Sequence, residues 1–294
     1  MLAPVVIFAY NRPWHLQQTV EALQRNPLAA QSILWVFSDF AKTSQEIEKV
    51  KQVRKYIRSL NGFAELHIVE REKNWGLANS IITGVSEVLT LYGKAIVLED
   101  DMICTTNFLQ FMNDCLEKYA DRSDIFSISG YSFPITIPKS YTKDVYLGLR
   151  ASSWGWATWQ DRWRKVDWDV KDFDEFIRNE SWQKQFNAGG ADLTAMLIRQ
   201  QRKQIDSWAV RWCYAHFKHQ AYCLYPVHSK IQNIGADFSG THTPKTQKYA
   251  VKLQEKPYLL PSELYPEPQI LTNLKRFFRP SLWRKLLNWW QLGV

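Results

Sequence analysis

The sequence predicts an α/β fold in which a mostly parallel central sheet carries helices on both faces. Three observations predict it. The first hundred residues hold four short apolar runs of strand length, and segments with apolar residues at helical spacing separate them. Each run ends in polar residues, and the carboxyl ends of the strands in an open sheet are where a ligand crevice forms. Finally, 294 residues with 46% hydrophobic and 22% charged content describe a globular chain, long enough for one large α/β domain or two small ones.

Pro4 to Tyr10 reads as a buried first strand, which Asn11-Arg12-Pro13 breaks. Leu16, Val20 and Leu23 then mark a helix. Ile33 to Phe37 is a second strand ending in Ser38-Asp39, and Ile47, Val50, Val53, Ile57 and Leu60 give a second amphipathic helix. Leu66 to Val69 is a third strand, Asn74 to Leu77 a turn, and Ala78 to Leu89 a third helix. The fourth strand is the apolar core of Lys94-Ala95-Ile96-Val97-Leu98, and Glu99-Asp100-Asp101 stands at its end.

Three adjacent carboxylates repel one another and resist burial. A divalent cation removes that conflict, because hard Mg²⁺ or Mn²⁺ prefers oxygen ligands and keeps positions open for a phosphate. The alternative is a solvated acidic turn. Asn11-Arg12, Asp39, the polar loop from Asn74 to Asn79, and Glu99 to Asp101 all follow strands, so they should converge on one edge of the sheet. Taken singly, Asn11 also fits a strand-to-helix cap and Asp39 a helix cap or a loop acid.

Beyond the acids, Phe108 to Leu116 is helical and Phe126 to Tyr131 is a strand. Ser152 to Trp159 combines small residues with tryptophan, which suits sugar stacking or a tightly packed aromatic core. Asp206 precedes a Trp-rich helical stretch, where partial desolvation would raise its basicity for general-base work. The same residue fits a helix N-cap with Ser207 to Trp212 as the first turns. Tyr222 to Val227 is a further strand. Asn233 to His242 carries two glycines, polar donors and one His, as a loop closing over an anion would, and as ordinary surface loops also do. Pro257, Pro261, Pro266 and Pro268 mark a linker. Leu274 to Trp290 mixes nine large apolar residues with Lys275, Arg276, Arg279, Arg284 and Lys285 and no acid, and Pro280 breaks it. That is the composition of an interfacial membrane segment; a tail helix docked on the protein is the alternative. The expected organisation is a domain over 1–245, a linker or extension over 246–273 and a basic amphipathic tail over 274–294.

The four cysteines show no CxxC spacing, which fits a reducing compartment and argues against structural zinc. No signal peptide and no membrane span of about 20 apolar residues is visible. The formal charge of +8 points to an anionic partner.

Pro4 to Arg12, Asp39, Val97-Leu98-Glu99-Asp100-Asp101, the Gly155 to Trp159 segment and Ile205-Asp206-Ser207-Trp208 together resemble the GT-A nucleotide-sugar glycosyltransferases. The likeness is to the bacterial family-2-like enzymes and, more distantly, to the N-acetylglucosaminyltransferase I group, and it spans about residues 3 to 242. The resemblance implies one Rossmann-like α/β/α domain that moves a hexose or N-acetylhexosamine, with inversion, from a nucleoside-diphosphate sugar to a glycan or lipid-linked glycan. The expected setting is bacterial surface polysaccharide synthesis at the cytoplasmic face of the membrane, a location that the basic tail motivates. Asp101 would ligate Mn²⁺ or Mg²⁺ through the diphosphate, Asp100 would lie near the ribose or donor sugar with Glu99 beside it, and Asp39 would read the base, most simply uracil. Tyr10, Asn11, Arg12 and Asn79 would complete the nucleotide side, Asp206 would be the base, and His242 would touch metal or phosphate. At Ser207 the relatives often carry a second acid, so Asp206 stands alone. Two other classes compete. A sugar nucleotidyltransferase should open with a Gly-rich phosphate loop, which Tyr10-Asn11-Arg12-Pro13 lacks. A nucleic-acid or carbohydrate-binding module should carry a cationic stripe across the α/β domain, whereas the densest acid-free basic segment is the tail, so no nucleic acid is expected.

Overall fold

The structure is a computed structural model that describes residues 1–235 and 247–292. The elements in chain order are β1 (Val5–Ala9), α1 (Pro13–Gln24), β2 (Ile33–Ser38), α2 (Ile47–Arg58), β3 (Glu65–Glu70), α3 (Leu77–Tyr92), β4 (Lys94–Glu99) and β5 (Met102–Cys104). There follow α4 (Phe108–Lys118), β6 (Ile125–Ser129), β7 (Val145–Gly148), β8 (Trp156–Trp159), α5 (Gln160–Trp163), α6 (Phe173–Arg178), α7 (Glu180–Phe186) and α8 (Leu193–Gln201). The last are α9 (Trp208–Lys218), β9 (Tyr222–Pro226), β10 (Ile231–Asn233), α10 (Pro268–Phe277) and α11 (Leu282–Leu292).

The 8-stranded sheet runs β3-β2-β1-β4-β8-β6-β9-β7. Neighbours from β3 to β4 are parallel, as are β6 and β9. Only β8, inserted between β4 and β6, and the edge strand β7 run the other way. β5 and β10 form a separate antiparallel pair. Alternate residues of each strand serve opposite faces. Val5, Ile7, Leu34, Val36, Ile96 and Leu98 pack on one side with residues of α1, α2 and α4. Val6, Phe8, Trp35, Phe37, Ala95 and Val97 pack on the other with residues of α3, α8 and α9. This is a Rossmann-like α/β/α sandwich with a mostly parallel central sheet, and the basic C-terminal segment forms α10 and α11.

Within the expected linker or extension over 246–273, the segment from Tyr258 onward packs against the domain. The Tyr258 hydroxyl donates to Asp114 Oδ2 (2.6 Å), the Tyr119 hydroxyl to the Pro261 carbonyl (2.9 Å), and Leu264 is buried. α10 begins at Pro268, and its Ile270 and Leu274 pack with Tyr146, Cys223 and Tyr225. The 273/274 boundary therefore falls inside a docked helix. Prolines signal extended backbone, and an extended segment with buriable side chains lies along the surface as readily as it hangs free.

Candidate active site

The parallel register sets the carboxyl ends of three strands side by side: Ala9 is opposite Ser38, and Phe8 is opposite Glu99. The segments that leave these ends are Tyr10 to Arg12, Asp39, and Asp100-Asp101, so the predicted convergence on one edge is observed. Thr19, fully buried on α1, holds the turn after β4. Its hydroxyl donates to the Asp100 carbonyl (2.9 Å) and accepts from the Met102 amide (2.9 Å). In the sequence Thr19 reads as one more inward residue of an amphipathic helix, and its partners become visible only in three dimensions.

Arg12 bridges two of the acids. Its Nη2 donates to Asp100 Oδ1 and, at 2.9 Å, to Asp101 Oδ2, and the Tyr10 amide donates to Asp100 Oδ2 at 3.3 Å. Both aspartates are buried. Burial by itself would lower the Arg12 pKa, but the adjacent Asp100 and Asp101 more than offset it, and the net shift is upward. Burial pushes the Asp100 carboxyl up to about 6, against the pull of Arg12 and with the repulsion of Asp101. Burial and then the charges of Asp101 and Asp100 push Glu99 up to about 8. A resident guanidinium thus meets part of the need for positive charge that the acidic triplet creates.

It does not meet all of it. Asp101 Oδ1 is buried with no hydrogen-bond partner, although a buried ionic oxygen is costly unless satisfied. Gly235 lies directly over the same carboxylate: a Cβ there would stand 2.1 Å from Asp101 Oδ2 and 2.8 Å from an Arg12 nitrogen. Only glycine permits this approach. The pairing of β10 with β5 delivers it, and the Ile234 amide donates to the Asp101 carbonyl (2.9 Å). Among the described residues no group of three or more His, Cys, Asp or Glu side chains could hold a metal alone. One carboxylate oxygen plus substrate phosphates is nevertheless a normal Mg²⁺ set, and Asp101 Oδ1 fits it.

Tyr10 and Asn11 contribute differently from expectation. Their side chains turn to Glu46: the Tyr10 hydroxyl donates to Oε2 (2.8 Å) and Asn11 Nδ2 to Oε1 (2.9 Å). These bonds, with Tyr10's first, lower the Glu46 pKa. Glu46 was missed, yet its signal is in the sequence: Thr43-Ser44-Gln45-Glu46 has capping-box spacing, and the box forms.

Asp39 serves the backbone. Oδ1 accepts from the amides of Phe40 (2.9 Å) and Trp75 (2.9 Å), and Oδ2 accepts from Gly76 (3.0 Å). Its carboxylate clamps the loop that starts α3, at Gly76 with φ +75°, and is not the free acceptor that base reading would use. Asn79 is exposed, and its amide returns to the Trp75 carbonyl (3.1 Å). Asp206 is corrected on two counts. It is 60% exposed, because it precedes the buried face of α9, so the expected desolvation does not occur. The N-cap is Ser207, whose hydroxyl accepts from the Val210 amide (3.3 Å). Asp206 faces Arg211 at 3.7 Å and comes within 3.7 Å of where a Gly76 Cβ would be, so the Asp39 clamp and Asp206 share a corner. His242 lies outside the described residues.

Beside Asp206 opens a cavity of about 510 Å³ lined by Arg150, Trp154, Met196, Ser207, Tyr249 and Phe278, among others. Of the predicted segment, Trp156 and Trp159 are buried in β8 as core, while Ser152, Ser153 and Trp154 line the cavity. Arg150 pairs with Asp192 (2.8 Å) and stacks over Phe278 (3.9 Å to the ring centre).

No protein-family model matches the chain, and no curated protein matches it. Among solved structures it is similar to TarS 1-349 of S. aureus in complex with UDP, at 16% identity over 59% of this chain and 49% of that one, with a TM-score of 0.36. It is also similar to the mannosyltransferase PcManGT from Pyrobaculum calidifontis in complex with GDP-Man and Mn²⁺, at 12% identity over 55% and 46%, with a TM-score of 0.36. The match thus spans about half the length of these structures, and likeness of this degree assigns no activity.

Proposed function

We propose that the chain is an inverting, metal-dependent glycosyltransferase. It takes a sugar from a nucleoside-diphosphate sugar, most simply a UDP-sugar, and gives it to a hydroxyl of a glycan or lipid-linked glycan in surface polysaccharide synthesis. The buried, unpartnered Oδ1 of Asp101 at the carboxyl edge of a parallel sheet carries this reading. Asp101 would hold Mn²⁺ or Mg²⁺, which supplies positive charge against the charge growing on the leaving diphosphate. Arg12 fixes both aspartates and adds a second cation. Asp39 shapes the nucleotide end through the loop it clamps, and Glu46 does so through Tyr10 and Asn11. Asp206 would take the proton of the acceptor hydroxyl as the new C–O bond forms and the bond between the sugar carbon and the phosphate oxygen breaks. The cavity beside Ser207 would seat the acceptor, with Trp154 as its stacking face.

Calorimetric titration of UDP and GDP, with and without Mn²⁺, tests this on wild type and Asp101→Asn. Binding that needs the metal and weakens at least about tenfold in the variant is expected. Absence of nucleotide binding with Mn²⁺ present, or equal binding by both proteins, would overturn the reading.

A further inference from the structure

The last helix leaves most of its large apolar residues exposed. Leu282, Trp283, Leu286, Trp289 and Trp290 of α11 are each 60–78% exposed. At 100° per residue they fall in an arc of about 120°. The opposite side of α11 is the one that docks: Asn288 Oδ1 accepts from Arg199 (2.6 Å), the Gln291 carbonyl accepts from Arg202 (2.8 Å), and Leu292 packs with Ala195 and Ile198. The contact with α8 is therefore polar-led and turns three tryptophans outward. That orientation rules out burial on the protein's own body as the purpose of this face.

Its surroundings are cationic. Lys275, Arg276, Arg279 and Arg284 are exposed, and no acid occurs after Glu267. Arg284 is near enough to Arg199 to lower its pKa, after the larger effect of burial. No helix among the described residues is long and apolar enough to cross a membrane. An outward aromatic face within an acid-free cationic segment is complementary to an anionic lipid surface, where indoles settle at headgroup depth and cations meet phosphate.

We propose that the Leu282–Trp290 face of α11 docks flat on an anionic bilayer. α8 ties that face to the cavity: Leu193 and Met196 line it, while Arg199 and, just past the helix end, Arg202 hold α11. Phe278, just before α11, lines it too. Docking thus sets the cavity close to the lipid surface, as delivery of a lipid-linked acceptor requires; this last step rests on the glycosyltransferase reading.

The test is co-sedimentation of the full chain with vesicles of phosphatidylcholine alone or mixed with phosphatidylglycerol. Wild type should pellet with the anionic vesicles. Trp283→Ser/Trp289→Ser, at exposed positions, should lower partitioning at least about tenfold, and Lys275→Glu/Arg276→Glu should remove the preference for anionic lipid. Wild type left in the supernatant, or unchanged pelleting of the tryptophan variant, would overturn the proposal. So would self-association of wild type that the same variant dissolves without any vesicle binding, since the face would then bind a second copy. UDP titration with Mn²⁺ on the same samples separates the two readings: vesicle binding without nucleotide binding sinks the enzyme and leaves the docking face standing.

Discussion

His216, on α9, is fully buried. Its Nδ1–H donates to the Trp212 carbonyl (2.9 Å), which leaves Nε2 to accept from the Ser127 hydroxyl (2.9 Å). Burial pushes its pKa down to about 4. Between about 6.5 and 4 the unfolded chain binds a proton that the native protein refuses, so stability is present above that window and lost as pH falls through it. The His216 share is about 3 kcal/mol, read as the difference between the urea-midpoint pH profiles of wild type and His216→Gln, because the raised Asp100 and Glu99 carboxyls act in the opposite direction over the same window. At this scale the sequence was partly legible. Arg12, Asp100 and Asp101 could be read because strand ends in a parallel sheet must share an edge. Thr19 and Gly235 could not: one is a hydroxyl on an apolar helix face, the other a backbone pressed on a carboxylate, and both depend on pairings between distant segments. Asp206 was placed one residue early as a cap, since Asp and Ser are nearly equal cap residues and only the backbone decides.

Among the elements, the joint between β1–α1 and β2–α2 depends on Glu46, which also takes hydrogen bonds from the Thr43 amide (3.0 Å) and hydroxyl (3.1 Å). Glu46→Ala should cost about 1–2 kcal/mol in urea unfolding and weaken nucleotide binding, while Glu46→Gln should recover part of both. The four parallel strands were readable because each is an apolar run bounded by polar residues; Pro4 to Tyr10 brackets Val5–Ala9. β5, β7 and β10 were not. With three, four and three residues, they are too short for a period of two to declare itself.

Across the whole molecule, the C-terminal helices differ in what they hold. A chain ending at Ser281 loses α11 and should keep cooperative unfolding with a Tm within a few degrees of wild type. A chain ending at Glu267 also loses Ile270, Leu274 and Phe278, all buried, each worth about 1.5–3 kcal/mol. Calorimetry should show a markedly lower Tm for that chain. Proline spacing could not separate a strap from a tether, because the difference lies in where Tyr258 and Leu264 go. The insertion of β8 between β4 and β6 has a consequence for synthesis. While the chain emerges from the ribosome, one edge of β4 stays open until Trp159 has been made. Ala95-Ile96-Val97-Leu98 is then an apolar, β-prone window with unpaired backbone. Lys94 precedes it and Glu99-Asp100-Asp101 follow it. Charges in those places discourage two nascent chains from joining edge to edge, so the acids proposed for the donor site are also placed where a growing sheet needs gatekeepers against aggregation.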